Sequence, residues 1–284
     1  GVEDPAESGD LAPPDRSCGD ARRSLRPRGS LPKPGRMPAD STMKRIQGDG
    51  RLVVGVDQNT YLFGFRDPAS GQIAGFDPDI AREIARAIFG DPQKIKFRAM
   101  SSSERIPALR NGEVDIVVRT MTITCERWEE VGFSTEYYTA GQRVLVASDS
   151  KVKSVDDLVG KKVCAVGGTT SIQEIGRRKA KPVAVRNWTD CLVLLQQHQV
   201  AAVSTDDVIL AGLAAQDPQT KVVGDAFTDE PYGIAAASDA TDLIQFLNAV
   251  LERMRRDGTW SAIYGRWLAS TLGDGSPPPA RYRS

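Results

Sequence analysis

The run LVVGV at residues 52–56 is apolar at almost every position and is bounded by Arg51 and Asp57, the pattern of a short strand buried on both faces. The stretch GFDPDIAREIARAIFG that follows places Ile80, Ile84, Ala85 and Ile88 on one face of a helix, with Asp77 or Asp79 as its cap and Gly90 as its stop. The same unit recurs in KFRA, SERIPALRNG and VDIVV (114–118). After Tyr138 it restarts in RVLVA, KKVCAV, SIQEIGRRK, PVAV, DCLVLLQQH and AAVS. Short strands linked by helical crossovers predict an α/β protein with mainly parallel sheets. A last helix, LIQFLNAVLERMRRDG, carries Leu243, Leu247, Val250, Leu251 and Met254 on one stripe, and Trp260, Ile263, Tyr264 and Trp267 pack the chain end beyond Gly258. No fixed-length repeat is visible.

The two ends break this pattern. Seven of the 17 prolines lie in the first 40 residues, and Pro277, Pro278 and Pro279 follow the last helix. Residues 1–43 therefore read as an extended leader and 269–284 as a tail, because segments this poor in apolar surface gain too little to offset the entropy of ordering. Gly1 opens the chain without the charged and apolar parts of an export signal; any such signal would have been removed or would lie outside these residues, and its absence does not count against export. The length of 284 residues suits two lobes better than one.

Charge and chemistry narrow the function. Lys+Arg 37 balance Asp+Glu 37, which leaves no field to draw the chain onto nucleic acid or anionic lipid. No apolar run is long enough to span a membrane. The single histidine, His198 in QQHQ, reads as a solvent-facing helix end and removes most triads and two-histidine metal sites. No cofactor or metal is expected. GGTTS (167–171) follows a strand and opens a helix, where free amides hold an anion; it is neither G-x-G-x-x-G nor a P-loop, and a carboxylate suits it as well as a phosphate.

The four cysteines form no C-x-x-C pair. Cys164 in a strand and Cys191 at a strand-to-helix turn can meet if neighbouring elements carry them, and Cys18 in the leader then has Cys125 as the partner left over. Four unpaired thiols in a cytosolic protein is the alternative; two bridges and an extracytoplasmic setting is the preferred reading.

The order LVVGVD, GFDPDIAREIA, IPALRNGEVDIVV, TMTITCER, VGFSTEYY, SVDDLVGKKVCAVGGTTS, EPYGIA and DGTWSAIYGRWL resembles the polar amino-acid branch of the periplasmic solute-binding proteins of ABC importers, over residues 44–268. The leader, the CER loop and the NWTDC and STDD segments are most similar to glutamine/glutamate-binding lipoproteins of actinobacteria. The resemblance implies a two-lobed type II periplasmic-binding fold. Lobe 1 would span 44–140 plus 232–268 and lobe 2 would span 141–231, with two crossover strands near 139–143 and 229–233 and a ligand clamped in a cleft.

Residue by residue, the resemblance assigns Arg127 to the ligand's α-carboxylate, with Thr122 beside it and Thr120 contributing a backbone group where relatives often carry glycine. Thr169 and Thr170 would close over the same carboxylate, and Asp206, with Asp207 next to it, would receive the α-ammonium. The loop after the first strand supplies Asp57 and one or more of Thr60, Tyr61 and Phe63, whose rings suit a core equally well. Asp57 matches the acceptor of a side-chain amide, whereas Arg119 at the end of VDIVV favours an acidic side chain or points into solvent; a pairing of the two would let the site take both acid and amide ligands. The implied function is extracytoplasmic binding of glutamate, aspartate or their amides by a monomer, for delivery to an ABC permease, with membrane anchoring by a lipidated N-terminus upstream. The alternatives are a ligand-sensing module for a membrane receptor and a cyclohexadienyl dehydratase-like enzyme.

Overall fold

Leu52, Val54 and Val56 have no exposed surface, and the strand they form lies inside a five-stranded sheet with a neighbour on each edge. The computed structural model describes residues 17–284, so the first sixteen residues of the expected leader lie outside the described part. The strand order is Ile95–Ala99, Leu52–Val56, Ile116–Val117, Ala235–Ala237, Val131–Phe133. Leu52–Val56 pairs in parallel with the strands on both sides, while Ala235–Ala237 runs antiparallel to its two neighbours. The parallel pairing expected from strand–helix alternation holds where helices Phe76–Phe89 and Arg105–Arg110 make the crossovers, and the antiparallel strands are added where the chain returns.

A second five-stranded sheet has the order Lys181–Val185, Lys162–Val166, Ala202–Asp206, Gln142–Ala147, Thr220–Val223. Lys162–Val166 pairs in parallel on both sides, and Gln142–Ala147 antiparallel on both sides. Cys164 on this sheet is bonded to Cys191, which lies within helix Trp188–Gln196, with 5.5 Å between their Cα atoms. The two sheets belong to two units. Ala140–Glu230 form the second, and the described residues up to Thr139 with Pro231–Ser284 form the first. The chain passes between them within strands Tyr138–Ala140 and Glu230–Tyr232, which pair with each other.

One local expectation fails for an identifiable reason, and the chain ends are held by more than the expected Cys18–Cys125 bridge. Neither Asp77 nor Asp79 caps the helix Phe76–Phe89; Gly75 precedes it at φ 132, and a Cβ there would lie 2.7 Å from the Phe63 backbone, so only glycine fits the entry and both aspartates fall inside the first turn. The described part of the leader and the tail are not free extensions. Cys18 is bonded to Cys125, Ser24 is fully buried, and Ser24 forms a bridge with Tyr282 of the tail. Composition hides this because the docking is polar: Asn248, fully buried on helix Thr241–Asp257, donates from Nδ2 to Ser24 Oγ at 2.9 Å and to the Leu25 carbonyl at 2.7 Å, and accepts from the Thr135 amide at 2.7 Å. Replacing Asn248 by Ala leaves these buried partners without a mate, and should lower stability by about 3 kcal/mol in urea titrations. A loss below about 0.5 kcal/mol would mean that the leader is not held through this residue.

Candidate functional site

Parallel register explains the central pair of the first unit. Gly55 lies opposite Val117, so two residues further on Asp57 meets Arg119 at the carboxyl ends of adjacent strands, where α/β proteins gather their ligands. Arg119 Nη2 lies 3.1 Å from Asp57 Oδ2, with both side chains almost completely buried. The rest of the guanidinium is held as well: Nε donates to the Met100 carbonyl at 2.7 Å and Nη1 to Ser102 Oγ at 3.0 Å. Arg119 does not point into solvent; it is locked against Asp57. The Asp57 carboxylate also accepts from Thr60 Oγ1 and from the Asn59 amide, which fixes the loop after the strand.

Beyond Arg119 the chain bends at Thr120, whose φ of 44 is the left-handed conformation that glycine adopts freely. The turn aims the Thr120 amide at Asp77 Oδ2, 2.8 Å away. Thr122 forms a backbone bridge with Tyr232, and its carbonyl accepts from Arg127 Nη1 at 2.7 Å. Arg127 sits on the single-turn helix Cys125–Trp128, started by Thr124, whose Oγ1 accepts from the Arg127 amide at 3.1 Å. The loop aromatics separate. Phe63 is fully buried against the rings of Phe76, Tyr138 and Tyr232 at 5.3, 5.5 and 6.1 Å and is a core residue, whereas Tyr61 is 40% exposed.

Two members of this cluster escaped the sequence pattern. Arg105, buried, donates from Nε to the Ser102 carbonyl at 3.0 Å and from Nη1 to the Arg119 carbonyl at 3.1 Å; burial and the nearby charges of Arg127 and Arg119 push its guanidinium down. Asp77, also buried, accepts from Tyr137 Oη at 2.7 Å as well as from Thr120. Burial outweighs these hydrogen bonds and raises its carboxyl from 3.8 to about 7. Three guanidiniums, those of Arg105, Arg119 and Arg127, thus lie close enough to act on one another, with the carboxyls of Asp57 and Asp77 in the same cluster. The one available signal was chemical rather than periodic, since an aspartate on a helix turn beside buried Phe76, Pro78 and Ile80 has to find a partner inside.

The second unit places acidic residues at the ends of several elements. Thr169 caps the helix Thr170–Arg177, accepting from the Ile172 amide, and the Thr170 hydroxyl donates to Glu230. Asp206 ends the strand Ala202–Asp206 and is buried; Asp207 begins the next helix, with its backbone amide on the Gly141 carbonyl, and burial raises its carboxyl above the usual range. With Glu230 also buried, the ends of these elements are acidic. His198 is exposed just beyond its helix. Among the described residues no cluster could hold a metal ion.

Two α/β units, each with a mixed five-stranded sheet and joined by two crossings, define the fold of the type II periplasmic binding proteins. The chain belongs to family 3 of the bacterial extracellular solute-binding proteins, whose family model matches residues 52–270. It is 44% identical over 231 residues to the ABC transporter glutamine-binding protein GlnH of Bacillus subtilis, covering 80% of this chain and 84% of that protein. It is 31% identical over 243 residues to the glutamate-binding protein GluB of Corynebacterium efficiens, covering 80% and 81%. Among solved structures, an ancestral arginine-binding protein bound to glutamine superposes with a TM-score of 0.73 at 36% identity, covering 79% of this chain and 99% of that one.

Asp77 gives this site a pH signature. Its folded-state value lies above 3.8, so folding favours the neutral acid: the contribution is full below pH 3.8 and is lost as pH rises through about 7. Relative to Asp77→Asn, the wild type should therefore lose about 1.4 kcal/mol of stability per pH unit between about pH 4 and pH 7, and no more above that. Urea titrations of both proteins across this range check it; a difference that does not change with pH would mean that Asp77 is ionised in the folded chain throughout.

Proposed function

We infer that the protein captures a polar amino acid outside the cytoplasm and delivers it to an ABC importer, the ligand being glutamate, aspartate or one of their amides. The observation that carries this reading is the division of charge. The guanidiniums of Arg105, Arg119 and Arg127 lie near one another in the first unit, and buried carboxylates end elements of the second. An amino acid is a zwitterion, and each pole needs a buried counter-charge if it is to leave water. Arg127 takes the α-carboxylate through its fork with help from Thr122, Asp206 and Asp207 take the α-ammonium, and Thr169 and Thr170 add amides at a helix start; the Thr120 amide is spent on Asp77 and acts only by shaping the turn. The family, and relatives named for glutamine and glutamate binding, support the same class of ligand.

The Asp57–Arg119 pair supports a site open to both acid and amide side chains. Asp57 alone would repel a side-chain carboxylate, and Arg119 alone would favour one; paired at 3.1 Å they present a nearly neutral surface with both a donor and an acceptor. The protein performs no chemistry in this reading. A dehydratase needs an acid to protonate a leaving hydroxyl, and the acid held nearest neutrality, Asp77, has both oxygens engaged by Tyr137 and Thr120. Tethering through a lipidated cysteine upstream belongs to the same reading; among the described residues no helix is long and apolar enough to cross a membrane. Copurification from membranes with a permease rather than a receptor separates import from sensing.

Two substitutions test the site by calorimetry. Arg127→Ala should keep the fold and lose measurable binding of every amino-acid ligand, and wild-type affinity in that variant would remove Arg127 from the site. Asp57→Asn frees the Arg119 charge, so glutamate should gain on glutamine by about tenfold, the effect of one charge-assisted hydrogen bond. An unchanged ratio of the two affinities would take the pair out of side-chain recognition.

A further inference from the structure

We propose that the leader and the tail together form a brace that positions Arg127, acting through its neighbour Trp128. The proposal rests on the reading of Arg127 as the carboxylate ligand. The helix that carries this arginine, Cys125–Trp128, is four residues long. A single turn cannot hold its own shape in water, because nucleation costs more than one turn returns. Its position must come from what grips it.

Both ends are gripped by the same piece of chain. Cys125 is bonded to Cys18, 107 residues away in sequence. Trp128 Nε1 donates to the Ala21 carbonyl at 2.8 Å. From the tail, the Arg283 guanidinium lies 4.2 Å from the centre of the Trp128 ring, while Phe133 meets that ring edge-on at 5.5 Å. Leader and tail are joined in turn: the Ser24 amide donates to the Arg281 carbonyl at 2.9 Å and the Arg283 amide to the Ser24 carbonyl at 2.9 Å. The joined piece is anchored in the core, with Ser24 Oγ donating to the Phe133 carbonyl at 2.5 Å.

Ring burial alone would be served by phenylalanine; the indole N–H is used on the leader, and the cation above the ring comes from the tail. The ring itself packs against the core around Leu109 and Phe133; the bond to Ala21 and the cation from Arg283 come on top of that packing. Both bear on the residue next to Arg127, whose Nη1 is already aimed at the Thr122 carbonyl at 2.7 Å. A guanidinium fork binds a carboxylate through two parallel bonds and tolerates little displacement, so loosening this one turn weakens the fork without breaking the fold.

The test uses the full chain and L-glutamine as the calorimetric probe, with urea titrations in parallel. Arg283 is exposed, so Arg283→Ala should leave the unfolding midpoint almost unchanged while weakening glutamine about tenfold, and Arg283→Lys, which keeps a cation over the ring, should restore most of the affinity. Trp128→Phe, which keeps the ring and removes the bond to Ala21, should give a loss of similar size. In an Arg127→Lys background, where a point charge replaces the fork, Arg283→Ala should cost no further affinity. Wild-type affinity in both Arg283→Ala and Trp128→Phe, or a second full loss on top of Arg127→Lys, would overturn the brace. An Arg127→Lys protein that binds glutamine as tightly as the wild type would instead overturn the assignment of Arg127.

Discussion

A charge can be buried only beside a counter-charge or after its proton has been adjusted, and the first unit uses both solutions within one cluster. Asp57 receives Arg119, with both side chains almost wholly buried. Asp77 receives a tyrosine hydroxyl and a backbone amide, and burial shifts its carboxyl to about 7. The Coulomb attraction of a buried pair largely goes to offset its desolvation, so the pair contributes little net stability; what it fixes is geometry. Arg119 can reach Asp57, the Met100 carbonyl and Ser102 together only if the strands carrying them are in register. Register in turn is set by the apolar runs that bury Val54, Val56, Ile116 and Val117.

From this pair the rest of the proposed site follows along the chain. The left-handed turn at Thr120 delivers its amide to Asp77, and Asp77 holds the Tyr137 hydroxyl two residues before the chain leaves the first unit. Trp260 Nε1 donates to the Tyr137 carbonyl at 2.7 Å, which ties the same residue to the last helices. A titratable group thus sits between the strand end proposed to bind ligand and the segment that leads to the other unit.

Most of the fold was legible because hydrophobic periodicity reports burial directly. The strand LVVGV, the helix with Ile80, Ile84 and Ile88 inward and the helix with Leu243, Leu247 and Leu251 inward all occur where the pattern places them. Both disulfides pair as expected, since few elements can bring those cysteines together. Illegible features were those made by polar groups reaching across the chain. Nothing near Ser24 signals that Asn248, more than 200 positions on, will bind it, and periodicity alone does not say that Asp77 in the helix Phe76–Phe89 turns inward instead of capping. Arg119 shows the same limit. Its type and place at a strand end were readable, and its locking between Asp57, Met100 and Ser102 required the packed structure. Phe63 shows the reverse, a ring in a ligand-type loop that the core claims.

The central claim is that this chain recognises the zwitterionic head of an amino acid, with a guanidinium fork on the carboxylate. It is tested most directly by titrating the unmodified protein with L-glutamine and with 4-aminobutanamide, the same molecule without its α-carboxylate. The account predicts one-to-one binding of glutamine and an affinity for the amine at least about a hundredfold lower, since two charge-assisted hydrogen bonds are missing. Equal affinities for the two compounds would contradict it.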